Sequence, residues 1–256
     1  MKLIKKQLVT AILASAFSLG AHAVGINFDG GAVAGCDDGT DSSPKVNHDL
    51  VNVYHCDFSA GSSADDIYIA SGFTVQMKTG QNPLNAASAI LGANGKLEGN
   101  LVSASTVAMG AGATINGNVE SGTTVAMGVE AQVTGSSANA PGANTITAGS
   151  TLALGANAIV NGNVQATTTI AVGANGRVFG DVNASSTFAL GADGSVYGNV
   201  VAETTVALGA ASHVYKKVAF GTGTGGLGDI VIDAAGLVTQ GTYDVLDVAN
   251  GHTRSG

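Results

Sequence analysis

The stretch "TFALGADGSVYGNV", residues 187–200, follows "TIAVGANGRVFGDV" at 169–182 and precedes "TVALGAASHVYKKV" at 205–218. The three phrases keep their small and apolar positions and let the others change. A glycine marks the same point at Gly92, Gly110, Gly128, Gly155, Gly173, Gly191 and Gly209. The interval is 18 residues everywhere except for 27 between Gly128 and Gly155. A fixed period of this length dictates architecture, because each unit is too small to bury its own apolar face and must be stacked on the next. The extra residues fit best at "SSANAPGAN", 136–144, a polar stretch with Pro141 and Gly142 that reads as a loop thrown out of one coil.

Within a unit the alternation has period two, which is a strand signal. Val107, Met109, Ala111, Ala113, Ile115, Gly117, Val119 and Ser121 form the small or apolar set, with Thr106, Ala108, Thr114, Asn116, Asn118 and Glu120 between them. An apolar position also returns every six residues, at Val107, Ala113, Val119 and Val125. Eighteen residues are then three faces of six. The expected fold is all-β: a single-stranded parallel β-helix, or triangular β-solenoid, of 18-residue coils with N- and C-terminal caps. About seven regular coils at ~4.8 Å each make a stack of roughly 34 Å. Glycines at the corners are expected to supply the freedom that the bends need.

Stacking puts Val107, Val125, Leu152, Ile170, Phe188 and Val206 in one inner row, and Met109, Met127, Leu154, Val172, Leu190 and Leu208 in the next. Ile115, Val133, Val160, Val178, Val196 and Val214 form a third. Outside runs a row of Thr106, Thr124, Thr151, Thr169, Thr187 and Thr205. One corner carries Asn100, Asn118, Asn163, Asp181 and Asn199, each directly after Gly. "IASGFTVQM", 69–77, echoes "VESGTTVAM", 119–127, so the solenoid is placed at 66–220. The stretch 78–88, with Pro83, makes an irregular first coil.

Composition agrees. The chain has 256 residues, 38 of them Gly, 45% hydrophobic and 11% charged. It is too apolar for a disordered chain and too glycine-rich for a helical one. Lys2, Lys5 and Lys6, the apolar run "LVTAILASAFSLG" and Ala21-His22-Ala23 read as a cleaved signal peptide over 1–23. The run is shorter than the roughly 20 residues a membrane span needs, and no later stretch reads as transmembrane. The mature chain keeps seven basic and eighteen acidic residues, a net charge of −11, which argues against a nucleic-acid partner. Export to an oxidising compartment makes a disulfide between Cys36 and Cys56 the leading reading for the acidic segment 24–65. Two free buried thiols are the alternative. The tail 221–256 is expected to be a C-terminal cap or assembly segment.

The units "TLALGANAIVNGNVQA" (151–166) and "TIAVGANGRVFGDVNA" (169–184) resemble the bactofilins, polymer-forming cytoskeletal proteins of bacteria. The shared phrase is apolar-x-apolar-Gly, four positions, then apolar-x-Gly-x-apolar, over about 150 residues. The resemblance implies a compact parallel β-helix that polymerises end to end without nucleotide. Bactofilins are typically cytosolic. The signal peptide and the cysteine-bearing segment depart from that pattern and point to an exported relative or a convergent solenoid.

Few residues carry chemistry. His213 is the one histidine within the coils, and Arg177, Asp181, Asp193 and Glu203 are too scattered for a lyase site. "GTGTGG", 221–226, is followed by strand-like "DIVI" rather than a helix, so it is read as a joint and not a phosphate loop. Asp37, Asp38 and Asp41, with Asp57, Asp65 and Asp66 nearby, are calcium candidates; a solvated acidic loop is the plainer reading. No catalytic or cofactor-binding residue is assigned. The Thr row is either a binding face for ice or a surface glycan, or simply residues that favour strands. Lys216 and Lys217 replace the Gly-Asn corner in the last coil. They are expected to mark where the chain leaves the repeat and to guard that end against uncontrolled strand addition. The resulting expectation is an exported, non-enzymatic structural or surface-assembly protein that associates end to end. A binding module for a cell surface or glycan is the alternative.

Overall fold

The structure, a computed structural model, describes residues 25–31, 33, 35–37, 52–57, 66–78, 83–135, 144–220 and 229–232. Residues 1–23, Asp38, Asp41, Asp65, the loop residues 136–143, "GTGTGG" and residues 233–256 lie outside these.

Every described element is a strand, and the strands form three stacks of ten, ten and eight, parallel throughout except for one edge pair. Each coil contributes one strand to each stack, so the chain winds as the expected triangular β-solenoid. Alternation of period two sends one set of side chains inward on all three faces. Register follows the repeat: Val107 pairs with Val125, Val125 with Leu152, Leu152 with Ile170, Ile170 with Phe188 and Phe188 with Val206. All six are fully buried, as are Ile115, Val133, Val160, Val178, Val196 and Val214 on the second face. A single continuous core therefore runs the length of the stack. The 27-residue interval resolves as placed: Gln132 pairs with Ile159, and Val119 with Ile146, so the added residues sit between the second and third faces. Asn144 already belongs to the strand Asn144–Ala148, which carries a register shift at Thr145.

The sheets run past 66–220 on both sides. Ile26–Phe28 lies parallel to Ile67–Ile69 as the first rung of the first sheet. Val53–Cys56 is parallel to Thr74–Met77, and Cys36–Asp37 closes that sheet as an antiparallel edge. Here Phe28, Tyr54 and Phe73 plug the core, with ring centroids 5.0 and 6.1 Å apart. The Tyr54 hydroxyl donates to Gly31 O and accepts from Gly30 N, both at 2.8 Å. Cys36 and Cys56 face one another across the antiparallel pair and are joined as a disulfide. At the other end, Val218–Phe220 pairs with Val200–Ala202, and Asp229–Ile232 with Thr205–Leu208. The chain therefore stays in the stack after Lys216 and Lys217, contrary to the expectation that it leaves there. Their corner keeps its bonds to the preceding coil, with Val200 N–H donating to Lys217 O at 2.7 Å.

Some corner glycines do supply backbone freedom, with positive φ at Gly99, Gly112 and Gly162, but the column that marks the repeat has a different role. Gly110, Gly128, Gly155, Gly173, Gly191 and Gly209 are absent from the residues with positive φ. What they need is space: a Cβ on any of them would come within 2.5–2.8 Å of backbone in the preceding coil. The bend falls two residues later, in a turn such as Ala113 N–H to Gly110 O at 3.2 Å. That site is left-handed in every coil: Asn94, Gly112, Glu130, Asn157, Asn175, Asp193 and Ala211, with φ between 53° and 66°. Asn, Asp and Gly tolerate this region best, which explains their prevalence there. Because the chain bends, Ala111 is exposed rather than inward. Ala108, placed outside by its parity, does point outward, yet close stacking of like rungs leaves it 4% exposed.

Candidate functional site: the solvent-facing ladders

A solenoid turns each outward position into a column, so a site here is a ladder and not a pocket. The predicted Thr row is a true ladder, with Thr106, Thr124, Thr151, Thr169, Thr187 and Thr205 in mutual register. These residues are half-buried. Beside them runs a second hydroxyl column that sequence reading missed: Ser105, Thr123, Ser150, Thr168, Ser186 and Thr204. The signal was the Ser-Thr or Thr-Thr dipeptide that opens each coil. Its hydroxyls bond along the stack. Thr123, Thr168 and Thr204 donate to the carbonyls of Ser105, Ser150 and Ser186 at 2.9, 2.8 and 2.9 Å. Ser150 and Thr168 hydroxyls lie 3.2 Å apart, and those of Ser186 and Thr204 3.0 Å. Much of this column's hydrogen-bonding capacity is thus used in holding coil to coil.

The Asn/Asp corner works the same way. Asn118 N–H donates to Asn100 Oδ1 at 2.8 Å, Asp181 N–H to Asn163 Oδ1 at 2.8 Å, and Asn199 N–H to Asp181 Oδ1 at 2.7 Å. Lys217 N–H donates to Asn199 Oδ1 at 3.3 Å. Lacking a side-chain carbonyl, Lys217 cannot pass this bond to a further coil, so the ladder ends on it. Both Lys216 and Lys217 are exposed.

The third ladder was not foreseen as a feature at all. Phe179, Tyr197 and Tyr215 follow the strands Arg177–Val178, Ser195–Val196 and His213–Val214 on the outer face of the second sheet. They are 46%, 37% and 41% exposed. Ring centroids are 4.6 and 4.7 Å apart and successive planes differ by 7°, so the rings ride at the rung spacing. His213 sits against Tyr215 with centroids 6.0 Å apart. The sequence signal was the aromatic in "RVFG", "SVYG" and "HVYK" at one repeat position. It passed for drift because the earlier coils carry Asn116, Thr134 and Asn161 in that place.

Of the calcium candidates, Asp37 is described through its backbone in the strand Cys36–Asp37, while Asp38 and Asp41 lie outside the described residues. Asp57 is paired with Lys78 Nζ at 2.8 Å, and Asp66 accepts from the Ser88 hydroxyl at 2.6 Å. Among the described residues no group of three or more His, Cys, Asp or Glu side chains comes together as a metal site would require. Arg177, Asp181, Asp193 and Glu203 are all exposed, and no two of them form an ion pair. No protein-family model, curated protein or solved structure matches the chain; the β-solenoid fold is what it is shown to have.

Proposed function

We propose that the chain is an exported, non-enzymatic structural protein that acts as a stiff rod at or beyond the cell surface and assembles end to end. The observation that carries this reading is the continuity of the stack. One core and three ladders run through it, and the polar contacts between coils hold one coil on another. At its far end the outermost rungs, His213–Val214, Val218–Phe220 and Asp229–Ile232, have no further strand beyond them among the described residues. Parallel edges of this kind are surfaces on which strands add, and the exposed Lys216 and Lys217 beside them oppose uncontrolled addition. At the opposite end Ile26–Phe28 and Leu84–Ala86 are the outermost rungs of the first and third sheets, and the antiparallel Cys36–Asp37 strand with its disulfide edges the second. Two unlike ends that both present strand edges suit head-to-tail stacking, and the bactofilin-like phrase supports the same behaviour. The basic, apolar and Ala-x-Ala segments of residues 1–23, with the disulfide, support export.

The alternative, a binding module for ice or glycan through the Thr face, draws less support, because hydroxyls beside that row are engaged along the stack. Electron microscopy of the processed protein decides between them. Filaments with the chain's own axial repeat are expected; monodisperse short rods at all concentrations would reject end-to-end assembly. Mass spectrometry of the exported protein should find an N-terminus near Val24, and a retained Met1 would reject cleavage.

A further inference from the structure

Basic and imidazole side chains stand around the ring ladder. Arg177 and His213 stand on the same outer face two residues before Phe179 and Tyr215, and Lys216 follows Tyr215 directly. Arg177 and Lys216 make no ion pair among the described residues, whereas Lys78 and Lys96 are held by Asp57 and Glu98. The nearest carboxylate in sequence, Asp181, is occupied by the backbone N–H and amide of Asn199 at 2.7 and 3.0 Å. A basic, apolar strip thus lies on a chain whose net charge is −8. Contiguous exposed apolar surface is a recognised mark of contact sites.

The geometry points to an acidic polysaccharide as the occupant of this strip. Ring faces cover one another at 4.6 and 4.7 Å, so no slot is left for a flat base to enter. What faces solvent is ring edges, which carry the positive end of the aromatic quadrupole, and the phenol hydroxyls of Tyr197 and Tyr215. Those groups suit the hydroxyl and ring oxygens of sugars. The guanidinium of Arg177 suits a carboxylate or sulfate in bidentate contact. The strip is linear and encloses nothing, which fits a polymer lying along it rather than a single sugar. A second copy seated by the same face would bring like charges together. No outward column of acidic residues among the described residues offers a complement on another face.

This inference extends the surface-protein reading but does not need filaments, and the test uses purified protein, so the two fail separately. The processed chain is run in affinity electrophoresis against polygalacturonate, neutral dextran and poly-dT. Retardation by polygalacturonate alone is expected. Tyr197→Ala combined with Tyr215→Ala should weaken it about tenfold or more, and Arg177→Gln should weaken it and flatten its salt dependence. Lys96→Gln, on the same face but at the far end, should leave it unchanged. All these positions are solvent-facing, and an unaltered circular dichroism spectrum verifies folding of each variant. The inference is overturned by absent retardation, by equal retardation in dextran, by tighter binding of poly-dT, or by variants that bind as the parent does. A dimer in sedimentation that Tyr197→Ala dissolves would assign the strip to self-contact and overturn it equally.

Discussion

Replacing Gly155 by Ala separates two roles that a repeated glycine can have. Gly155 is not in the left-handed region, so alanine fits its backbone conformation. If the column existed for backbone freedom, the substitution would stabilise the fold by about 0.4–1 kcal/mol through the unfolded chain. The structure gives the opposite sign. The new Cβ would lie 2.5 Å from both C and O of Gly128 and 2.8 Å from Val129 N, against 3.4 Å or more in ordinary contact. All three atoms are backbone, so no side chain can swing away. The coils must part by most of an ångström at a corner where Gly155 N–H donates to Met127 O at 2.8 Å. Overpacking of this kind costs about 1–3 kcal/mol, and a strained ladder bond puts Gly155→Ala at the upper end. For a chain of this size that is a fall in thermal midpoint of roughly 4–12 °C, read by far-UV circular dichroism. A midpoint equal to or above the parent's would refute the close-approach argument.

The remaining perturbations probe the core, the turn and the cap. Val178→Asp, between the fully buried Val160 and Val196, should cost on the order of 4 kcal/mol, while Thr169→Ala on the half-buried outer row should cost below about 1 kcal/mol; equal losses would mean inside and outside are reversed. Glu130→Asn places a left-handed-tolerant residue at φ 61° and should raise stability by about 1 kcal/mol, with an unchanged urea midpoint counting against the strain assigned there. The Cys36–Cys56 disulfide closes a separation of 20 residues and should contribute roughly 3 kcal/mol. Alkylation of the non-reduced protein should therefore label neither thiol, and labelling of both would contradict the bridge.

The inner half of each coil was legible because burial leaves little choice. A position that must be apolar in every unit writes its period into the sequence, so Val107 could be aligned with Val125 and Leu152 without any structure. The ends were less legible for the same reason. Ile26–Phe28 and Val53–Cys56 are rungs, but their spacing departs from 18, and they read as an acidic segment tied by two cysteines. At the other end, Lys216-Lys217 broke the corner phrase while leaving the backbone bonds intact. A ladder needs the N–H and carbonyl of each rung, and lysine supplies both as well as asparagine does.

The outer columns were illegible in a different way, because solvent imposes no period on them. Thr recurs outside the first face, so its column announced itself; its neighbour alternates Ser with Thr and was read as variation. The aromatic column changes character along its length, from Asn116 and Thr134 before the 136–143 loop to Phe179, Tyr197 and Tyr215 after it. Read along the chain, those changes are noise within a repeat. Read across the coils, they divide one sheet face into a polar half, with Lys96 and Glu98 paired at 2.5 Å, and an aromatic half with Arg177, His213 and Lys216 beside it. Stacking alone would accept either kind of residue on both halves, since neither points into the core. In-register stacking of the rings stabilises the coils by itself; what a scaffold alone does not require is Arg177 and Lys216, without ion pairs among the described residues, next to those rings on an acidic chain. That placement, rather than the repeat, is the basis of the recognition face proposed above.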